Sequence, residues 1–332
     1  MPDESATSPA HMPLESGHGG SVALAASKER EAISPAASQP ATITDLKMGT
    51  FIGFILCHVL AALAFIPWLF SWSGVAAFVA GLYFFGILGI NIGYHRLLTH
   101  RSFRCPRWLE RTLAILGTCG MQFSPAFWVA VHRCHHQHSD AEHDPHSPVR
   151  GFIWAHFGWL ITRRPRHQTR AILIDRYAPD LIRDPFYGAL ERGSTWIVLP
   201  VLSWLALFLV GLAGALAAGH GLARAVQLGA SLSVWGGPLR TVFVWHTTWA
   251  VNSVTHFWGY RNYATPDDSR NNAIVALLAG GEGWHNNHHA DPRSARHGHR
   301  WWEVDPSWWT IRLLMACGLA TNVVHPTAAQ RP

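Results

Sequence analysis

The stretch GVAAFVAGLYFFGILGINIGYHRLLTH, residues 74–100, joins a long apolar segment to two histidines. Residues 74–92 contain no charged side chain, and their length matches a helix that crosses the hydrocarbon core of a bilayer. His95 and His100 follow at the point where such a helix would leave the membrane. This stretch therefore predicts a membrane helix that delivers imidazole groups to the bilayer surface.

Three further apolar stretches have the composition of membrane helices: residues 49–70, 197–218 and 239–258. With residues 74–92, they predict an all-α integral membrane protein with four transmembrane helices. The last stretch contains Arg240, His246 and Asn252. Polar groups at membrane depth are costly and usually functional, so this stretch is also a candidate to contribute to a site.

The N-terminal segment differs from the rest of the chain. Residues 1–45 contain no Phe, Trp or Tyr and are rich in Ser, Ala and Pro. Such a segment buries too little apolar surface to offset the entropy that ordering costs. We therefore expect a disordered tail over residues 1–45 and one membrane domain over residues 46–332.

The composition narrows the class of protein. The chain is 49% hydrophobic and only 14% charged, whereas soluble domains carry about 25% charged residues. A net charge of +6 suits nucleic acid, anionic lipid headgroups or phosphorylated substrates, and the predicted spans favour the last two over nucleic acid. The five cysteines are scattered without a CxxC pair, which argues against a zinc ribbon, an iron–sulfur cluster and a disulfide framework.

Arginines indicate which side of the membrane the long loop occupies. Between the second and third predicted spans, five arginines lie close to the span ends: Arg96, Arg101, Arg104, Arg183 and Arg192. The connection between the third and fourth spans carries only Arg224. The positive-inside rule therefore places the long loop in the cytosol, and with four spans both termini lie on the same side.

Eight histidines form three short boxes: His95-Arg-Leu-Leu-Thr-His100, His132-Arg-Cys-His135-His136 and His285-Asn-Asn-His288-His289. The predicted topology places all three boxes on the cytosolic side. Residues three and four apart share one face of a helix, so the rings of each of the last two boxes can point at one centre. Eight imidazoles are too many for one ion, and neutral imidazole suits iron, zinc, copper or nickel. We therefore expect a cytosolic helical cap that holds two metal ions.

A ninth candidate ligand is His256, at the end of the fourth predicted span, and Asn252 lies one turn earlier, where it could hold a metal-bound water. The other histidines are predicted not to be ligands: His58, His138, His143, His146, His156, His167, His220, His246, His297, His299 and His325. Among them, His138, His143 and His146 are candidates to orient the ligand rings from outside.

Two metals among imidazoles at a membrane surface suit the activation of O₂. Two irons can store the electrons needed to split O₂, and the oxidant formed can remove hydrogen from an unactivated methylene. Two adjacent removals give an alkene, whereas one removal with return of oxygen gives an alcohol, so a desaturase and a hydroxylase both fit. A metal transporter is a third class, but transporters place their ligands near the bilayer midplane, and these boxes lie at or beyond the span ends.

The chain resembles the membrane-bound Δ9 fatty acid desaturases, that is, the stearoyl-CoA desaturase family and its bacterial relatives. The resemblance runs from the first span to Trp309 and rests on these motifs: HRLLTH at His95, HRCHH at His132, DPHSP from Asp144, RGF with HFGWL up to Leu160, NSVTH from Asn252 and GEGWHNNHHA from Gly281. It implies an O₂-dependent di-iron enzyme that introduces a cis double bond, at Δ9, into a long-chain acyl group.

The resemblance also implies roles for individual residues. Nine histidines would bind the two Fe²⁺ ions, with Asn252 acting through water: His95, His100, His132, His135, His136, His256, His285, His288 and His289. Four residues would line the bend of a kinked acyl tunnel: Gln122, Trp128, Thr248 and Trp249.

The carrier of the acyl group and the source of electrons stay open. Arg163 and Arg164 match a basic pair expected near the phosphates of CoA. The animal acyl-CoA enzymes carry a basic residue two positions before the second box, where this chain has Ala130, so acyl-CoA, acyl-lipid and acyl carrier protein are all possible carriers. No electron-carrying segment is recognisable, which predicts a separate donor of the ferredoxin or cytochrome b5 type. The basic cytosolic face suits an acidic carrier.

Overall fold

The structure is a computed structural model that describes residues 46–165 and 168–327. Within these ranges the regular elements are helices, accompanied by a few isolated β-bridges. The main helices are, in chain order, α1 (Met48–Ala62), α2 (Trp72–Thr99), α3 (Arg107–Cys119), α4 (Pro125–His138), α5 (Thr195–Ala217), α6 (residues 222–252), α7 (His285–Ala290) and α8 (Pro306–Ala316). The predicted all-α fold is confirmed for the described residues, whereas the tail predicted over residues 1–45 lies outside them.

Three of the described helices are long and apolar enough to cross a membrane: α1 extended to Phe65, α2 and α5. They correspond to the spans predicted at residues 49–70, 74–92 and 197–218. Their outer faces carry exposed apolar side chains, among them Phe65 at 84% and Trp72 at 78% exposure. Exposing apolar surface to water costs about 25 cal/mol per Å², so hydrocarbon is the solvent that suits these faces.

The fourth predicted span, residues 239–258, has the wrong boundaries. The helical segment starts at Leu222, continues through the π-helical turn Trp235–Leu239 and ends at Asn252. The short helix Val254–Phe257 is a separate element that follows a break at Ser253. α6 is not one of the described helices that are both long enough and apolar enough to cross a membrane.

The sequence GGP within α6 explains this error. Gly236, Gly237 and Pro238 have the composition of a helix end, but all three lie inside the helix. A Cβ atom on Gly236 would lie 2.8 Å from the side chain of Leu207, and one on Gly237 would lie 2.8 Å from that of Trp204. The glycines therefore serve close packing against α5, and the wider π-helical turn accommodates the proline.

The chain after α2 turns back along that helix instead of leaving it. A Cβ on Gly89 would lie 2.5 Å from the backbone of Gly117, and a Cβ on Gly93 would lie 3.0 Å from the carbonyl oxygen of Leu113. These contacts make α3 antiparallel to α2. The chain reverses at residues 120–124, and α4 runs back with the second histidine box. The segment that the sequence presents as a long loop is thus a helical hairpin at its start.

The cap over these helices consists of short elements: a helical segment at residues 154–161, Arg170–Tyr177, Pro179–Ile182, Pro185–Glu191, Val254–Phe257, Ala273–Leu278 and α7. The largest buried apolar cluster joins α2, α4 and α6 through side chains such as Tyr94, Phe127 and Trp245. A second cluster joins α2 and α3 to α8 through Ile92, Leu113 and Ile311. The two clusters hold the C-terminal end of α2 in place beneath the cap.

Candidate metal centre

The nine histidines predicted as ligands come from four separate helical segments. His95 and His100 lie at the C-terminal end of α2, α4 carries the second box, and α7 carries the third. His256 lies in the short helix Val254–Phe257. Folding brings all nine rings together, and six of them are buried, while His100, His136 and His289 are half-buried.

The nine imidazoles divide into two groups. In the first group, ring nitrogens of five residues all lie within 4.8 Å of one another: His95, His100, His132, His136 and His288. In the second group, four residues meet the same condition: His135, His256, His285 and His289. A first-row metal ion takes roughly four to six ligands, so each group has the right size for one ion.

In four of the nine histidines, an acidic residue contacts Nδ1, the ring nitrogen opposite Nε2. Nδ1 of His95 lies 2.6 Å from Oε2 of Glu282. The other three pairs are His135 with Asp144 at 2.9 Å, His256 with Asp140 at 3.0 Å and His289 with Asp267 at 2.7 Å. An ionised carboxylate only accepts hydrogen bonds, so the hydrogen-bonded Nδ1 atoms of His95, His135 and His289 carry the ring proton. The Nε2 lone pair then points into the centre, as a metal ligand requires.

The distances between Nε2 atoms match those expected for two ligands of one metal ion. Nε2 of His288 lies 3.1 Å from that of His95 and 2.9 Å from that of His136. In the second group, the Nε2 atoms of His285 and His256 are 3.1 Å apart. Two ligands at right angles on an ion, each about 2.1 Å from it, are about 3.0 Å apart. Because His95 carries its proton on Nδ1, its Nε2 atom is free to bind an ion.

The carboxylates remain charged although they are buried. Burial alone would raise the pKa of Glu282, but Arg96, His297 and His95 together hold it well below its usual value. Arg96 is itself fully buried, and its Nη2 donates to both Glu282 and Asp305 at 2.9 Å. This arginine therefore fixes the carboxylate that orients His95.

The pKa values of Asp144 and Asp267 follow the same pattern. Burial would raise the pKa of each carboxyl, but the adjacent ligand, His135 or His289, lowers it below its usual range. We predicted no role for these four acidic residues from the sequence. Asp144 lies in the motif DPHSP and Glu282 in the motif GEGWHNNHHA, and these positions could have indicated a role. Asp140 and Asp267 lie outside the quoted motifs.

The histidines expected outside the ligand set take different positions. His146 lies against the ligand His135, with ring centroids 4.4 Å apart. His138 contacts the hydroxyl of Tyr177 at 3.3 Å instead. His297, for which the sequence suggested no role, places Nδ1 3.2 Å from Glu282 and so adds a second imidazole to that carboxylate. His167 lies outside the described residues.

A cavity of about 660 Å³ lies beside the two groups of histidines. His95, His132 and His285 form part of its wall, and most of the remainder consists of apolar side chains from α1, α2 and α6. Cavities of roughly 300–1,000 Å³ are typical of sites that bind small molecules. A mostly apolar cavity of this size suits a hydrocarbon chain that passes next to the metal ligands.

Four residues predicted at the bend of an acyl tunnel all line this cavity: Gln122, Trp128, Thr248 and Trp249. The indole Nε1 of Trp128 donates to Oε1 of Gln122 at 3.2 Å, and Nε2 of Gln122 donates to Oγ1 of Thr248 at 3.0 Å. Asn252, the last residue of α6, lines the cavity as well and is half-buried. The structure thus brings the predicted tunnel residues and the two groups of histidines together.

Comparison with known proteins decides the family. Residues 67–316 match the family model described as "Fatty acid desaturase". The chain belongs to the fatty acid desaturase family. The resemblance on the histidine boxes is therefore confirmed, and this desaturase is an oxidoreductase that acts on acyl chains.

Named relatives of the desaturase cover most of its length. The sn-1 stearoyl-lipid 9-desaturase of Anabaena variabilis is 45% identical over 270 residues, which are 81% of this chain and 91% of the relative. The sn-2 palmitoyl-lipid 9-desaturase of Nostoc sp. (strain 36) is 42% identical over 84% of this chain and 91% of the relative. The icosanoyl-CoA 5-desaturase of Limnanthes douglasii is 41% identical over 84% of this chain and 73% of the relative.

The two arginines predicted near a headgroup lie in different surroundings in the desaturase. Arg163 is exposed, whereas the guanidinium of Arg164 lies over the rings of Phe127, at 5.1 Å, and Trp159, at 5.2 Å. Burial lowers the pKa of Arg164 to about 10. Arg164 is therefore half-buried against aromatic side chains, whereas Arg163 is exposed.

Proposed function

We propose that this desaturase introduces a cis double bond, at Δ9, into a long-chain acyl group of a membrane glycerolipid, with O₂ as co-substrate and two iron ions as cofactor. The observation that carries the proposal is the pair of imidazole groups beside a mostly apolar cavity. The relatives named as stearoyl-lipid and palmitoyl-lipid 9-desaturases support the lipid substrate and the position.

Each group of imidazoles would hold one iron. The first comprises five histidines around His95 and His288, and the second comprises four around His135 and His285. The fit rests on the Nε2 separations near 3 Å and on the Nδ1 protons that the carboxylates fix. When bound, the irons supply the oxidising power that removes hydrogen from an unactivated methylene. Asn252 would hold a water next to the second group.

The residues of the cavity would position the acyl chain. His95, His132 and His285 expose their rings on its wall, so a chain in the cavity passes directly beside both groups. The hydrogen-bonded pair of Gln122 and Thr248 would close one side of the bend. Holding a reacting group in place accounts for several kcal/mol of barrier reduction in typical enzymes, about 7–11 kcal/mol at most. A bent, rigid wall would also favour the cis product.

The tryptophans give that wall its shape and exclude water from it. Trp249 is buried and stacks on Trp245 with ring centroids 5.4 Å apart, and Trp128 stacks on the ligand His132 at 5.1 Å. Large rings with few rotatable bonds lose little freedom when a substrate binds. Water that cannot enter the cavity cannot compete with the acyl chain for the oxidant.

A glycerolipid is favoured over acyl-CoA as carrier by the basic residues. Arg164 packs on aromatic rings, which leaves Arg163 as the exposed member of the pair. The position two residues before the second box is Ala130, which is buried. If acyl-CoA were the carrier, Arg163 and Arg164 would both contact its phosphates. One relative is named for an icosanoyl-CoA substrate, so the experiment below also includes acyl-CoA.

Two further parts of the proposal concern topology and electrons. We propose that α6 forms the fourth crossing of the membrane, which puts the cap, the metal centre and both termini in the cytosol. The reaction consumes electrons, so a separate donor of the ferredoxin or cytochrome b5 type would dock on the cytosolic face.

The proposal is tested by expression in a host that lacks desaturase activity, followed by mass spectrometry of its lipids. We expect new cis-Δ9 chains within glycerolipids in vivo, and purified protein should convert acyl chains of added glycerolipid but not acyl-CoA. The variant His135→Ala should make no unsaturated product, whereas His220→Ala, at an exposed position, should match the wild type. A hydroxylated product would support the hydroxylase alternative, and unchanged lipids despite added iron and reductant would contradict both.

A further inference from the structure

Arg240 is a charged residue in the apolar interior that the metal centre does not use. It lies in α6, and no part of it is exposed. Its partners are backbone carbonyls: Nε donates to Gly236 at 3.1 Å, and Nη1 donates to Cys119 at 2.9 Å. The guanidinium carbon also lies 4.0 Å above the ring of Phe85. A buried charge at this depth is costly, so a function is the first explanation to consider.

The carbonyl of Cys119 belongs to the turn between α3 and α4, residues 119–124, which we call the hairpin tip. α3 runs antiparallel to α2, and the backbone of Gly117 packs against Gly89, ten residues before the end of α2 at Thr99. At about 1.5 Å per residue, the tip therefore lies on the order of 15 Å from the cap end of α2. Irregular backbone at such depth persists only where protein groups satisfy its carbonyls.

The backbone of the tip has an unusual conformation. Met121 and Phe123 have φ angles of 58° and 73°, in the left-handed region that residues other than glycine rarely adopt. Such conformations persist when the surrounding structure fixes them, and they concentrate at functional sites. The contacts that fix the tip are therefore of interest.

One helix, α6, supplies most of these contacts. Arg240 binds the carbonyl of Cys119, Nε1 of Trp245 donates to the carbonyl of Met121 at 2.9 Å, and Thr248 accepts from Gln122. Three side chains on α6 thus contact three residues of the tip, and the contacts follow the same order along the helix and along the tip. Sliding the tip along α6 would break all three contacts.

The tip also forms part of the cavity. Met121, Gln122 and Phe123 line it, as do the ligands His95 and His132. The distance between the tip and the imidazoles therefore determines which carbon of a bound chain lies next to the metal groups. This step rests on the proposed function, in which the cavity holds the acyl chain.

We propose that Arg240 is a positioning residue that fixes the hairpin tip along α6 and thereby determines the position of the new double bond. Arg240 does not touch the substrate, because it is not among the residues that line the cavity. Its effect passes through Cys119 and the tip to Gln122. Loss of this contact should let the tip move while the metal ligands stay in place.

The experiment compares double-bond positions in the lipids of cells that express Arg240→Met, Arg240→Lys or the wild type. Gas chromatography and mass spectrometry of dimethyl disulfide adducts locate each double bond. We expect Arg240→Met to keep wild-type iron content but to form positional isomers beside the wild-type product. Its turnover should fall by up to about 100-fold, since a mutation far from the reacting atoms that displaces the substrate by about 1 Å can have that effect. Arg240→Lys should restore the single position, because an ammonium group can still donate to Cys119.

Arg224→Met is the matched control, since Arg224 lies on the same helix but is exposed at its start. It should leave the position unchanged. If Arg240→Met does not accumulate, Arg240→Gln decides the question, because its amide nitrogen can replace Nε at Gly236 while the Nη1 contact with Cys119 is lost. A single wild-type isomer from an iron-loaded Arg240→Met, or from Arg240→Gln in that case, overturns the inference. A wild type that forms no alkene would refute the proposed function instead.

Discussion

Nδ1 of His95 lies 2.6 Å from Oε2 of Glu282, although 187 positions separate the two residues in the chain. This contact joins the end of α2 to the segment just before α7, and Arg96 completes it from the neighbouring position. One histidine of the first group, His95, is therefore oriented by a buried charge network that joins distant parts of the chain.

The first prediction concerns this network. Glu282→Gln keeps the size of the side chain but removes the charge that holds the proton on Nδ1 of His95. Changes of this kind reduce metal affinity or activity by about 10–100-fold, and we expect a loss of Fe²⁺ affinity in that range. Titration of the metal-free protein with Fe²⁺ measures it. Glu142→Gln, at an exposed position, is the control, and equal affinities for both variants would show that Glu282 has no such role.

A second prediction separates the two metal sites. Asp267 contacts His289 of the second group at 2.7 Å, so Asp267→Asn should weaken that site and leave the five-histidine site filled. Elemental analysis at a free-iron concentration that just fills both wild-type sites should then find about half the wild-type iron per chain, because only one of two sites keeps its affinity. The exposed Asp175 provides the control variant Asp175→Asn. Loss of both ions together would contradict two independently oriented sites.

The third prediction tests the packing of α3 against α2. A Cβ on Gly117 would lie 2.4 Å from the ring of Tyr94 and 2.9 Å from the carbonyl oxygen of Gly89. Gly117→Ala should therefore destabilise the protein by about 1–3 kcal/mol, the usual cost of an overfilled core. Thermal unfolding in detergent measures the loss. Gly214→Ala, in α5 with nothing within 4 Å of the added Cβ, should leave the stability unchanged or slightly raised.

The fourth prediction concerns the length of the acyl chain. Gly86 lines the cavity, and a Cβ there would lie 3.4 Å from Val244, so the space beside it is already filled. The larger side chain of Gly86→Leu has to extend into the cavity and shorten it. We expect the ratio of palmitoyl to stearoyl products to rise, as measured by gas chromatography of total lipid. An unchanged ratio in folded, iron-loaded variant would mean that the chain does not reach Gly86.

The eight histidines of the boxes could be recognised as candidate ligands from the sequence because each histidine box is local. His132, His135 and His136 lie within about one turn of one helix, so a short sequence pattern is enough to indicate that their rings share a face. The apolar helices α1, α2 and α5 were predictable for the same reason, since hydropathy is a property of each stretch alone.

The features that the sequence did not disclose depend on distant contacts. The start of α6 was missed because Gly236 and Gly237 have the composition of a break, and only the approach of α5 reveals their packing role. Asp140 and Asp267 resemble any surface acid until His256 and His289 are found beside them. The hairpin of α3 and α4 was read as a loop, because α3 contains Arg107, Glu110 and Arg111 and lacks a uniformly apolar composition.

We propose that each of the two groups of histidines holds one iron, so the purified protein should contain two irons per chain. Elemental analysis, with protein concentration from amino-acid analysis, measures this number and is the test of the proposal. A single ion per chain after saturation with iron, or two ions that persist when His135 and His285 are both replaced by alanine, would contradict it.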